Sequence, residues 1–381
     1  MAGIDWWYSS HAHSELQLLR RVARSRRVLF VNSIGLRMPM PGKSTQPWHR
    51  IARKVASVMR FLSRPIPDVP NFIVLSPIVL PLYGSPAGRV VASVLVRTQL
   101  RLTCLALGIT RPIFVITLPT GWEVIEPLAR RAVIVNKADK FSALHDVDQQ
   151  YIAGLERTLM READRLVYVS RALMDDDREA VGDRAVFLDH GVDLEHFTMR
   201  PEAEQPADLV AIPGPRIGYF GSLDDYRVDF DLLERVAREF PEAQLVLVGD
   251  ATCSLERFDD LPNVHWLGAR PYEEIPGYGS GFDVGLMPYL RNEFIRNSNP
   301  IKVREYLALG IPVVSTEVPE MHRYDEWILI ADDHDAFVDA VGRSLRGEAP
   351  SDPAGRRAAV ASSSWDVRAE EFIAIAESVR S

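Results

Sequence analysis

Short apolar runs alternate with longer amphipathic stretches along nearly the whole chain. In the first half the runs are VLFVN (28–32), FIVLS (72–76), IFVIT (113–117), AVIVN (132–136), LVYVS (166–170) and AVFLD (185–189). They are apolar almost throughout instead of alternating, the pattern of parallel strands covered on both faces. Segments with helical spacing separate most of them, for example 148–162, where Tyr151, Leu155 and Leu159 share a face. A doubly wound α/β sheet is predicted. The rhythm breaks over 199–215 (MRPEAEQPADLVAIPGP) and restarts with IGYFGS (217–222), QLVLVG (244–249), VHWLG (264–268), DVGLMP (283–288), PVVST (312–316) and LIA (329–331). The expectation is two Rossmann-like domains, over 1–198 and 216–364, joined by a linker at 199–215. A last stripe, Trp365, Phe372, Ile375 and Val379, predicts a helix that crosses back, so 365–381 is counted with the first domain.

Length and composition fit this picture. A chain of 381 residues suits two domains, and 47% hydrophobic with 25% charged residues excludes disorder along most of it. The two cysteines, Cys104 and Cys253, exclude a disulfide framework and a Cys-based zinc site. The first thirty residues lack an apolar leader segment and carry Arg20, Arg21, Arg24, Arg26 and Arg27. The longest uncharged stretch, 72–88, is broken by Pro77, Pro81 and Pro86. A cytoplasmic location is expected, with any membrane contact peripheral.

Charge adds an asymmetry. The net −8 combines +8 over residues 1–200 with −16 over 201–381; within 1–111 there are 16 basic groups and three acids. In 48–64, Trp48, Ile51, Val55, Met59 and Leu62 fall on one helical face, with Arg50, Arg53, Lys54, Arg60 and Arg64 beside or opposite it. Such a helix can lie on an anionic membrane, here the inner face of the cell membrane. The alternative is a helix packed on its own domain with its arginines solvated. No nucleic-acid reader motif is present, and nucleic acid is not expected as a partner.

Chemistry should sit beyond the carboxyl ends of the strands. After IGYFG, the turn Gly221-Ser222 opens toward a helix and presents backbone N–H groups suited to an anion. A stronger candidate is NSNPIKVREYLALGIPVVS (297–315). Asn299 reads as an N-cap and Pro300 as the first helical residue. Lys302 then stands against the helix dipole, which makes sense if a bound phosphate neutralises both. Glu305, one turn on, can accept two hydrogen bonds from a vicinal diol such as a ribose. The plainer alternative is a surface Lys–Glu helical pair.

Glu305-Tyr-Leu-Ala-Leu-Gly310-Ile-Pro-Val-Val resembles the E-x-x-A-x-G-x-P-V-V signature of glycosyltransferases with the GT-B fold, family 4 type. Asp189-His-Gly-Val-Asp-Leu-Glu-His-Phe197, Val264-His-Trp-Leu-Gly268, Asp283-Val-Gly-Leu-Met-Pro288 and Ala163-Asp-Arg-Leu-Val-Tyr-Val-Ser170 are similar to further family segments in the same order. Tyr219-Phe-Gly-Ser and Asn299-Pro-Ile-Lys look closest to the bacterial surface-polysaccharide branch, the teichuronic-acid-synthesis-like transferases. The resemblance implies two Rossmann-like domains facing a cleft, an N-terminal acceptor domain and a C-terminal nucleotide-sugar domain. It implies a hexosyltransferase that uses a UDP-, GDP- or dTDP-sugar without a metal or other cofactor and retains anomeric configuration. Its acceptor would be a lipid-linked or polysaccharide glycan. In the donor site it places Gly221, Ser222, Arg227, Asn297, Ser298, Asn299, Lys302 and Glu305, with Gly268 and Ala269 at the nucleotide base. Ser222 stands where the family has arginine, Arg227 where it has lysine, and Asn297 where it has its first acid.

On the acceptor side, Asp139 resembles an element of the polysaccharide branch and is the candidate for orienting the acceptor hydroxyl or taking its proton. His13 is the second catalytic candidate, ahead of His11; Glu123 lies at a strand end, and Trp122 reads either as a sugar-stacking ring or as core. Asp175-Asp-Asp177 reads as a solvated helical run with no metal. Two other readings share the fold: a nucleotide-sugar 2-epimerase, and a transferase-like scaffold with weak or no turnover.

Overall fold

The computed structural model describes residues 2–7, 13–33, 56–80, 85–138, 140–143 and 148–379. The twelve apolar runs become strands, and with a further one, β2, these residues hold thirteen: β1 (Val28–Val31), β2 (Leu62–Ser63), β3 (Phe72–Leu75), β4 (Ile113–Ile116), β5 (Ala132–Lys137), β6 (Arg165–Tyr168), β7 (Ala185–Phe187), β8 (Arg216–Phe220), β9 (Gln244–Val248), β10 (Val264–Trp266), β11 (Val284–Met287), β12 (Val313–Thr316) and β13 (Leu329–Ala331). The helices used below are α1 (Ser14–Val22), α2 (Pro86–Ala106), α3 (Gln149–Glu162), α4 (Ala207–Val210), α5 (Phe230–Glu239), α6 (Lys302–Leu309), α7 (His334–Leu345) and α8 (Trp365–Ser378). The chain divides into two compact units, Met1–Asp189 with Arg368–Ser381, and His190–Val367.

In the second unit, six parallel strands run in the order β10-β9-β8-β11-β12-β13. Numbered from β8, that order is the doubly wound 3-2-1-4-5-6, whose direction of winding reverses between β8 and β11. The strands are buried because helices cover them. α5 turns Phe230, Leu232, Leu233, Val236 and Ala237 inward, and Asp229 starts it by accepting the Leu232 amide at 2.9 Å. Asp333 caps α7 in the same way.

The boundary between units falls nine residues earlier than expected, because 190–198 packs into the second unit. Val192 forms a parallel bridge with Ser364, and Arg357 donates to the Phe197 and Leu194 carbonyls. Residues 199–215 are no free linker either. Leu209 of α4 is fully buried, and Asp208 accepts from Arg270 at 2.7 Å and from the Tyr278 hydroxyl at 3.0 Å. The proline-rich composition marked a break in the strand rhythm, but the segment still contributes apolar and charged anchors.

The first unit differs from the single sheet expected. Its strands form two sheets, β1-β3-β2 and β4-β5-β6-β7. Residues 2–4 run beside the end of β1, through Ala2 N–H to the Val31 carbonyl and Ser33 N–H to the Ile4 carbonyl. Buried Glu15 of α1 ties this segment down, accepting the Gly3 amide and the Thr117 hydroxyl. A cavity of about 510 Å³ is lined by residues of both β1 and β4, with Leu100, Cys104 and Phe372 among its walls. β2 is also new: Leu62–Ser63, predicted helical, pairs antiparallel with β3 and covers its edge. The predicted 48–64 helix otherwise lies outside the described residues up to 55, with one helical turn at 56–59.

Candidate functional site

The second unit gathers its chemistry where β8 and β9 end. Gly221 follows β8 with φ +139° and Gly249 follows β9 with φ +157°. A methyl group on Gly249 would stand 1.8 Å from the Gly221 carbonyl oxygen, so position 249 can approach this backbone only as glycine. The Gly249 amide donates to the Gly268 carbonyl at 2.9 Å, which extends the line to the end of β10. Trp266, half exposed on β10, donates its indole N–H to the Gly249 carbonyl at 2.9 Å.

Lys302 is the first residue of α6 and lies across Gly221. A Cβ there would meet the Lys302 Cε at 2.0 Å and its Nζ at 2.5 Å. The ammonium stands 5.5 Å from the Tyr219 ring centroid, and the Tyr219 hydroxyl donates to the Ser222 carbonyl at 2.9 Å. Burial works against the lysine's charge, but Tyr219, Tyr289 and the Glu305 carboxylate outweigh it and hold its pKa above the ordinary lysine value. Glu305, 7% exposed, is pushed up to about 7 by burial, which outweighs the opposing pull of Lys302 and Arg304.

α6 begins with Ile301 in the N-cap position and no side-chain cap, so Asn299 is not the cap expected. Its carboxamide oxygen accepts instead from Arg304, a fully buried arginine whose guanidinium also lies over the Tyr324 ring. Burying that charge needs acceptors nearby, and Asn299 is one. Asn297 is 2% exposed, and neither its side-chain oxygen nor its nitrogen has a hydrogen-bond partner among the described residues. The Ser298 hydroxyl donates to the Phe294 carbonyl at 2.7 Å.

Arg227 faces Tyr226 and Phe294, its guanidinium 4.8 and 5.2 Å from their ring centroids. Its nearest carboxylate is Asp224 at 3.7 Å, 2% exposed, whose pKa burial raises while Arg227 pulls it down. Asp224 and Gly249 escaped the sequence reading. The signal for Gly249 was present, a glycine ending an apolar run; nothing in the Ser-Leu-Asp-Asp string separated buried Asp224 from exposed Asp225. Direct contacts therefore link Gly268, Gly249, Gly221 and Lys302, with Glu305 one turn along α6. Ala269 is exposed just beyond Gly268.

The acceptor-side candidates fare differently. Asp139, His11, Arg50, Arg53 and Lys54 lie outside the described residues. His13 is an exposed residue at the N-terminus of α1. Arg60 lies over the Trp7 ring at 4.5 Å. Trp122 is buried in the core, with Arg130 over its ring. Asp177 is not solvated as expected: it pairs with the buried Lys137 and accepts from the Tyr168 hydroxyl at 2.8 Å.

The Glu305 environment predicts a pH effect. A carboxyl group whose folded pKa lies above its unfolded value stabilises fully below the unfolded value, near 4.5, and loses that contribution as pH rises through about 7. Glu305→Gln, neutral throughout, should therefore gain stability relative to wild type between pH 5 and pH 8. Denaturant midpoints at the two pH values measure this; a constant difference would contradict the buried setting of Glu305.

The six-stranded doubly wound order, the glycine line and the Lys302–Glu305 pair lie together in the second unit, the part of the chain that a family comparison also covers. Residues 214–346 match the family described as Glycosyl transferases group 1. The chain is similar to TuaH of Bacillus subtilis, whose name assigns it to teichuronic acid biosynthesis as a glycosyltransferase: 29% identity over 183 residues, 46% of each protein. The match thus spans less than half the length of that relative. Among solved structures, a sucrose-phosphate synthase from Thermosynechococcus elongatus aligns over 92% of this chain and 98% of its own, with TM-score 0.69 and 15% identity. HepE from Anabaena, in complex with UDP and glucose, aligns over 97% of each chain with TM-score 0.69 and 14% identity. The fold is GT-B.

Proposed function

We propose that the chain is a glycosyltransferase that moves a hexose from a nucleotide-sugar to a lipid-linked or polysaccharide acceptor at the cytoplasmic face of the membrane. The observation that carries the reading is Lys302 laid across Gly221 at the point where the sheet's winding reverses, with Glu305 one turn further on. The similarity to TuaH supports the polysaccharide setting, and HepE is a structure of this fold with UDP and glucose bound.

In this reading the donor diphosphate lies against Gly221 and Ser222, where Lys302, Arg227 and the N-terminus of α6 meet its charge. Glu305 accepts from the two ribose hydroxyls, and the base lies toward Gly268 and Ala269. The buried carboxamide of Asn297 offers a donor and an acceptor to sugar hydroxyls, replacing its missing partners. Asn299 acts through Arg304, which holds the loop leading into α6. The bond from the anomeric carbon to the diphosphate oxygen breaks, and the bond to the acceptor oxygen forms with retention of configuration. The acceptor's proton passes to the departing diphosphate or to a base of the first unit, for which Asp139 is our candidate ahead of His13. Lys302 and Arg227 supply the charge stabilisation, so no metal or other cofactor is assigned.

Incubation with UDP-, GDP- and dTDP-hexoses, followed by NMR of the products, tests the reading. One donor class should be slowly hydrolysed without acceptor and consumed faster with lipid-linked glycan, giving a product of the donor's anomeric configuration. Interconverted sugar epimers would indicate an isomerase, and inert donors would indicate a scaffold; either would overturn the proposal.

A further inference from the structure

α2 is apolar on two opposite sides. Ala92, Val96, Leu100 and Thr103 are buried against the first unit. On the other side, Val90, Val91, Val94, Leu102 and Leu105 are 46–63% exposed. At one turn per 3.6 residues, these five fall with Thr98 and Arg101 in a sector of about 120°, and the stripe runs roughly 22 Å along the helix. An amphipathic helix of a soluble domain normally turns charged residues outward; this one turns out valine and leucine. The stripe has apolar neighbours. Gln99 holds the backbone of Ile78 through two hydrogen bonds, at 2.8 and 2.9 Å, and Ile78 and Leu80 are exposed. The Ser76 amide donates to the Phe61 carbonyl at 2.8 Å, and Met59, Phe61 and Leu62 are exposed there.

Among the described residues of 1–111, the exposed charge is mostly positive. Arg101 is exposed within the stripe, and Arg60, Arg64 and Arg111 are exposed in the same unit. Residues 1–111 contain three acids, Asp5, Glu15 and Asp68. Glu15 is buried, and Asp5 accepts from Ser57 and Asn32, which leaves Asp68 as the exposed carboxylate of this stretch. A second copy of the chain would bring like charges together at Arg101, whereas anionic headgroups complement it. We propose that the outer face of α2, bordered by Ile78, Leu80 and the 59–62 edge, docks in the plane of an anionic lipid bilayer. Valine and leucine side chains reach the acyl boundary, and the arginines reach up into the phosphate layer. This rests on the membrane-face location proposed above and assigns it to α2.

Vesicle flotation of the full chain tests it, with phosphatidylcholine alone and with about one third phosphatidylglycerol. Wild type should float with the anionic vesicles and much less with the neutral ones. Val94→Asp with Leu102→Asp, both at exposed positions, should lower the bound fraction roughly tenfold or more, with melting temperature and donor response unchanged. Arg101→Gln should produce a smaller loss that grows as salt is lowered. Wild type that binds no vesicle would overturn both this inference and the membrane location. Wild type that binds anionic vesicles with both variants unaffected would overturn the α2 assignment alone. A dimer that the double substitution dissociates, with no vesicle binding, would show that a second copy covers the stripe.

Discussion

Replacing Lys302 with methionine should lower kcat for sugar transfer by about 10²- to 10³-fold, the range for removing one preorganised group that meets developing charge in a transition state. Methionine keeps the volume beside Gly221 and the contact with Tyr219 but removes the ammonium. Because Tyr219, Tyr289 and Glu305 favour the charged lysine, removing it should also cost stability, so turnover is compared well below the variant's unfolding temperature. Turnover that collapses in folded protein distinguishes the proposal from the plainer alternative of a helical Lys–Glu pair. In that alternative Lys302→Met would shift stability by a few tenths of a kcal/mol and leave transfer intact. Arg227→Met should act in the same direction with a smaller effect, since its guanidinium is shared with Asp224.

Gly249→Ala should be among the most damaging small substitutions in the second unit. The added methyl would stand 1.8 Å from a backbone carbonyl oxygen, which cannot rotate away as a side chain would, at a φ of +157°. Gly347→Ala is the control: its φ is +79°, but nothing lies within 4 Å of the new Cβ. Strain alone should cost Gly347→Ala about 1 kcal/mol, whereas collision added to strain should cost Gly249→Ala about 3 kcal/mol or more. Thermal unfolding should show a drop of roughly 10 °C for Gly249→Ala against a few degrees for Gly347→Ala. Equal drops would mean that the β8 and β9 termini do not meet as described. Because the Gly249 backbone abuts Gly221, donor binding should weaken in Gly249→Ala well below its unfolding temperature, and in Gly347→Ala it should not.

The sequence made the second unit legible and the first only partly so. Parallel strands buried on both faces leave continuous apolar runs, and each run from 217 to 331 became a strand within a few residues of its expected bounds. Lys302 and Glu305 were visible because a lysine in the first turn of a helix conflicts with the local dipole, and such a conflict calls for a ligand. Glycine contacts such as Gly249 against Gly221 are set by long-range approach of backbones and leave no periodicity. The position of α6's first residue was misjudged because Asn-Pro is a good start signal taken alone, while the buried Arg304 claims the Asn299 side chain. In the first unit, the split between sheets depends on residues 2–4 and Glu15, a tertiary arrangement with no pattern of its own. The outward stripe of α2 is hidden in the sequence because Arg97 and Arg101 interrupt its apolar run. In three dimensions Arg97 turns aside to the Glu123 and Val124 carbonyls, and Arg101 is the charged residue left within the outward stripe.

On the proposed function, a nucleotide-sugar binds where β8 ends against the start of α6. The most direct measurement of that binding is the melting temperature of wild type, Lys302→Met and Glu305→Ala across a concentration series of UDP-, GDP- and dTDP-sugars. A ligand present at 100 times its Kd should stabilise wild type by about 2.7 kcal/mol, a rise of several degrees. At least one nucleotide class should produce that rise in wild type, and both variants should lose it. A wild type that no nucleotide-sugar shifts, or variants that shift as wild type does, would contradict binding at this site.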